Sequence, residues 1–123
     1  MKEVKGVEDL EVYRKLVELH LGMHELSLTF PKFELYELGS QIRRSSNSIP
    51  ANLAEGWSNR HLNVYLEGVN RAQGELQETR HHLYVAFRKG YLNEPSYTGF
   101  KARYDECGKM LKGLERALDS KRR

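Results

Sequence analysis

The chain has 123 residues, 30% of them charged and 39% apolar, which is enough for one domain with a core of its own and fits a helical protein handled by water. No apolar run approaches the ~18 residues of a membrane span, and the opening Met1-Lys2-Glu3-Val4-Lys5 leads into no hydrophobic signal region. The lone Cys107 excludes an internal disulfide, so a cytoplasmic protein with no membrane partner is expected.

Asp9 reads as the N-cap of a first helix over about residues 10–29. Val12, Leu16, Leu19, Met23, Leu26 and Phe30 step by four and three, an a/d seam, with Tyr13, Val17, His20 and His24 beside it. Two adjoining lines make a face wide enough for a bundle. Pro31 ends the helix in the turn Phe30-Pro31-Lys32-Phe33.

A second helix is expected over about residues 34–57, with Gly56 as its stop. Leu38, Ile42, Ile49 and Leu53 draw its apolar stripe. Beside that stripe runs a polar line of Gln41, Ser45, Ser48, Asn52 and Glu55. Pro50 sits inside the run, has no N–H for the Ser46 carbonyl, and implies a bend. Ser45, Ser46, Asn47 and Ser48 supply side chains for the freed groups. A polar line next to a core stripe is costly unless hydrogen-bonded. It reads either as a bonded structural kink or as a recognition surface flanked by Arg43 and Arg44.

Leu62, Leu66, Val69, Ala72 or Gln73, Leu76, Thr79, Leu83 and Phe87 carry the rhythm of a third helix, about residues 62–89, which ends at Gly90. Gly68 and Gly74 weaken it by roughly 1 kcal/mol each relative to Ala, and close contact with another helix is their expected reason. Asn93-Glu94-Pro95 opens a fourth helix over about residues 95–118. Its seam of Tyr97, Phe100, Tyr104, Cys107, Leu111, Leu114 and Leu118 is the cleanest heptad in the chain, and Lys121-Arg122-Arg123 reads as a disordered basic end. With short loops between long helices and no strand alternation, the expectation is an all-α, antiparallel up-down-up-down four-helix bundle.

The residues argue against catalysis. His20 and His24 share a helix face but lack the Glu of a zinc-protease motif. Glu78-Thr-Arg-His81 has di-iron spacing, yet only one copy is present. Cys107 lies on an apolar seam with no evident base. The expectation is no enzyme, no metal and no cofactor.

The stretch RRSSNSIPANLAEG, with Gln41 before it, resembles the signature of the 23S rRNA-intervening-sequence protein family, small bacterial four-helix bundles. That family typically reads Q-x-R-R, S-x-P-x-N and A-E-G, here Gln41, Arg43, Arg44, Ser48, Pro50, Asn52, Ala54, Glu55 and Gly56. Leu10-Glu11-Val12-Tyr13, Phe30-Pro31-Lys32 and Gly90-Tyr91-Leu92 resemble its opening and its turns, so the likeness spans roughly residues 9 to 118. Tyr13 replaces the usual Trp, Asn59 an Arg, and Glu75 a Ser.

The resemblance implies a homopentamer. It also implies an association with nucleic acid, since the family resembles the accessory protein of diversity-generating retroelements, which works with RNA and a reverse transcriptase. Arg43, Arg44, Arg60, Arg71, Arg80, Arg88 and Lys89 are the candidate phosphate contacts. The other reading is a homo-oligomeric scaffold whose arginines pair with Glu37, Glu55, Glu75 or Glu78. Net charge is +3, with five basic and eight acidic side chains in residues 1–40 and eight and four in residues 99–123. That asymmetry serves either reading. Adjacent arginines point about 100° apart on a helix. Arg44 is therefore expected in the polar line, and Arg43 is expected to be the freer cation. Asn52 and Glu55 are expected to be partly buried.

Overall fold

The computed structural model describes residues 5–57 and 61–122. Four α-helices make up most of it: α1, Glu11–Ser27; α2, Leu38–Trp57; α3, Leu62–Arg88; and α4, Glu94–Lys121. Short 3-10 turns at Val7–Asp9 and Lys32–Glu34 precede α1 and α2, and no strand occurs among the described residues.

Contacts between the helices fix their directions. Between α2 and α3, Ser45 meets Thr79, Ser48 meets Glu75, and Gly56 meets Gly68. Position rises on one helix as it falls on the other. The same holds for α1 and α2, where His20 meets Ser46 and Ser27 meets Arg43. On α3 and α4, Leu76 approaches Gly108, Arg80 meets Asp105, and Phe87 stacks on Tyr97. Phe100 lies against Gly22 and Glu106 against Lys15, which closes α4 onto α1. Every neighbouring pair is antiparallel, and the fold is an all-α four-helix bundle.

The seams read from the sequence form the core. Leu16, Met23, Ile42, Ile49, Leu53, Val69, Leu83 and Leu111 are completely shielded from solvent. Each such aliphatic side chain contributes roughly 1.5–3 kcal/mol relative to exposure. The second line on α1 is narrower than expected, because His24 is exposed.

Glycine sets how closely α2 and α3 pack. A Cβ at Gly68 would lie 2.8 Å from the Asn52 carbonyl oxygen and 3.2 Å from the Gly56 Cα. No side chain fits there. Gly56 is therefore not the stop expected of it: α2 runs on to Trp57, and Gly56 lets α3 approach. Gly74 does not share this reason, since a Cβ there would meet nothing within 4 Å.

The helix ends follow local chemistry. Gly90 has φ +82°. The amides of Gly90 and Tyr91 donate to the Phe87 and Ala86 carbonyls, the double closure that glycine permits after a helix. Asn93 Oδ1 accepts from the Ser96 amide at 2.9 Å and caps α4. Three expectations change. Asp9 does not cap α1; its carboxylate accepts from the Lys5 and Gly6 amides, and Leu10 takes the cap position. The second helix begins at Leu38, because the preceding turn carries Glu34 inward. The basic end is helical to Lys121, where Arg122 pairs with Asp119 at 2.7 Å; Arg123 lies outside the described residues.

Candidate functional site

The polar line on α2 faces α3 and divides by depth. Ser45 is fully buried, with its hydroxyl 2.8 Å from Thr79 Oγ1. Ser48 donates to Glu75 at 3.0 Å. Asn52, half-buried, donates its amide to the Ser48 carbonyl at 2.8 Å. Gln41 and Glu55 are exposed, so the expected burial of Glu55 does not occur. α2 turns that flank of the helix outward at each end of the line. Ser46, expected to serve the groups freed by Pro50, pairs instead with His20 Nδ1 at 2.8 Å across the α1 contact. Burial, and then the neighbouring His24, lowers the His20 pKa.

Of the two adjacent arginines, Arg44 joins the polar line as expected, but Arg43 is not the freer cation. Arg43 is held: it donates to Ser27 Oγ at 2.9 Å and to the Leu35 carbonyl at 2.7 Å. The turn before α2 folds back over it and offers that carbonyl. Arg44 is half exposed and pairs with Glu78 and, at 3.4 Å, with Glu75. It reaches the polar line through Glu75, which also accepts from Ser48. Glu78 and then Glu75 raise the Arg44 pKa, while Arg44 and then His82 hold the Glu78 carboxyl below its ordinary value. Glu78 thus turns to Arg44 and His82 rather than forming a metal pair with His81. Among the described residues no cluster of three or more His, Cys, Asp or Glu side chains is placed to hold a metal.

The other candidate cations are dispersed. Arg71 pairs with Glu67 one turn back on α3. Arg80 reaches Asp105 on α4 at 2.9 Å. Arg88 lies over the Tyr84 ring and donates to its hydroxyl at 2.8 Å. Lys89 donates to Glu34 at 2.8 Å. Arg60 lies outside the described residues. The six described cations are therefore not gathered into one patch. Where α2 meets α3, Arg44 and Arg71 stand among Glu55, Glu67, Glu75 and Glu78. That face is acidic, and phosphate gains little from it.

Two features escaped the sequence reading. Glu34 is entirely buried, and Tyr91 and Lys89 donate to it at 2.7 and 2.8 Å. These bonds hold its carboxyl below the usual range, Lys89 first and Tyr91 second, and tie the α1–α2 turn to the α3–α4 turn. No periodicity marks a turn glutamate, so its depth left no trace in the residue pattern. The second is an open groove of about 660 Å³ between α3 and α4, whose walls include Arg80, Lys109, Lys112 and Arg116. The last three sit at i, i+3 and i+7, a spacing that is visible in the sequence but looks like an ordinary solvated face.

Among known proteins, a family model described as 23S rRNA-intervening sequence protein matches residues 8–113. No curated protein matches the chain. The chain is also similar to a protein of unknown function from the S23 ribosomal protein family of Bacteroides thetaiotaomicron VPI-5482, known from a crystal structure. The two are 26% identical with a TM-score of 0.74, over 85% of this chain and 97% of that one.

Proposed function

The chain belongs to the 23S rRNA-intervening sequence protein family, and on that premise we propose that it is a non-enzymatic, self-assembling bundle of the bacterial cytoplasm, a homopentamer that serves RNA or an RNA-handling enzyme as an accessory or assembly factor. One observation carries the assembly part. Leu28, Phe33 and Tyr36 fall within nine residues around the α1–α2 turn and are 56%, 69% and 85% exposed. Large apolar and aromatic side chains left in water together mark a surface built for a partner. No helix among the described residues is long and apolar enough to cross a membrane; the cover proposed for this patch is another copy of the chain. The family's link to ribosomal RNA genes supports the RNA part.

The scaffold reading, without nucleic acid, draws on a different observation: the arginines of the signature stretch are occupied, Arg43 by Ser27 and Leu35, and Arg44 by Glu75 and Glu78. Light scattering and an RNA titration decide between the two. A pentamer that binds single-stranded RNA at ~50 mM salt, with affinity falling as salt rises, supports the accessory reading. A pentamer with no RNA affinity leaves the scaffold. A 14.3 kDa particle at micromolar concentration overturns self-assembly.

A further inference from the structure

The groove between α3 and α4 has the chemistry the signature face lacks. On α4, Lys109, Lys112 and Arg116 line one wall, and Gln73, Gln77 and Arg80 on α3 line the other. Gly74 and Gly108 also line it, and neither puts a side chain into it. Against four cations the lining holds a single carboxylate, Asp105. That carboxylate is engaged twice over, with Arg80 at 2.9 Å and Lys101 at 3.3 Å. It fixes Arg80 against the wall and leaves Lys109 and Arg116 uncompensated. Lys109 and Arg116 have no acidic partner among the described residues. Lys112 has only Glu115 at 3.7 Å, with its own side chain 61% exposed, and an exposed pair of that kind gives way readily.

We propose that this groove holds the phosphate backbone of a single RNA strand, with Lys109, Lys112 and Arg116 as the phosphate contacts and Arg80 as a fixed edge. The inference rests on the RNA-associated reading above and moves the site from the α2–α3 face to the α3–α4 face. Residues 109 to 116 cover ~10 Å of helix, room for a short run of backbone phosphates. No aromatic ring lines the groove, so there is no platform on which bases could stack, and contacts go to phosphate and sugar without choosing sequence. The amides of Gln73 and Gln77 suit the ribose hydroxyls, which donate and accept.

The test is a titration of a fluorescent poly(U) strand with three proteins. Wild type is expected to bind at ~50 mM salt. Lys109→Glu/Arg116→Glu replaces two exposed side chains and keeps the fold, which circular dichroism verifies. It is expected to bind about tenfold or more weakly, and its log–log salt slope to fall by about 1.4, two contacts at ~0.7 each on a single strand. Lys5→Glu/Lys32→Glu makes the same change in net charge away from the groove and is expected to bind as wild type does. If both double variants lose affinity equally, overall charge explains binding and the groove is wrong. If wild type binds and the groove variant binds equally well, the site lies elsewhere while the RNA reading stands. If wild type does not bind, the RNA reading itself fails.

Discussion

Tyr104 on α4 is completely buried, and its hydroxyl has no hydrogen-bond partner among the described residues. Burial, and then the nearby Cys107, drives its pKa far up, against a smaller lowering by Arg103. An unpaired buried hydroxyl costs on the order of 1–3 kcal/mol, so Tyr104→Phe is expected to stabilise the protein by about 1 kcal/mol, read as a higher midpoint in urea at unchanged slope. A lower midpoint would mean that the hydroxyl has a partner. Glu34 presents the opposite case, a buried carboxylate with every bond made. Its pKa is lowered on folding. It therefore contributes stability above the unfolded value of about 4.3 and loses that contribution as pH falls through the folded value. Glu34→Gln is expected to melt lower than wild type at neutral pH and to lose less stability on acidification below about pH 4.3. Equal acid sensitivity in the two proteins would assign the titration to another carboxylate.

At the scale of the elements, two glycines of α3 make a matched pair. A Cβ at Gly68 would press on the backbone of α2 at 2.8 Å. Gly68→Ala is therefore expected to cost about 1–3 kcal/mol by forcing the helices apart. Gly74 faces open space, so Gly74→Ala is expected to stabilise by roughly 0.5–1 kcal/mol through helix propensity and a less free unfolded chain. Thermal melts of both decide it, and a shift of the same sign in each would contradict the crossing geometry. The pair also shows what sequence can reveal about an element. The heptads located all four helices, since periodic burial leaves its period in the chain. The same pattern could not tell a glycine under another helix from one facing water, because both occupy helix interiors. Nor could it rank Arg43 and Arg44. The turn that covers Arg43 comes from a segment with no period. Glu34 and Lys89 stand 55 residues apart, and only the closed bundle brings them together.

For the whole molecule, the up-down topology followed from long helices and short connections, and the contacts between helices agree with it. What the topology gathers at its ends was not legible, because each turn contributes a few unpatterned residues. The end that carries the α1–α2 turn combines a tightly held interior with an apolar exterior. Glu34 points in toward Lys89 and Tyr91, while Phe33 and Tyr36, on either side of it in sequence, stay in water. Two exposed rings held on a fixed turn would lose little freedom on being covered by the second copy proposed above. Nothing inside the chain depends on the Tyr36 ring, which is 85% exposed. Substitution of exposed side chains changes folding stability by only about 0.5 kcal/mol in either direction. Phe33→Ser/Tyr36→Ser is therefore expected to keep the helical spectrum and melting cooperativity of the wild type while its mass in solution falls toward the 14.3 kDa of one chain. Light scattering across a micromolar dilution series measures this. If the double variant keeps the wild-type mass, the assembly surface lies on the helix flanks, and these rings cover something other than a second copy.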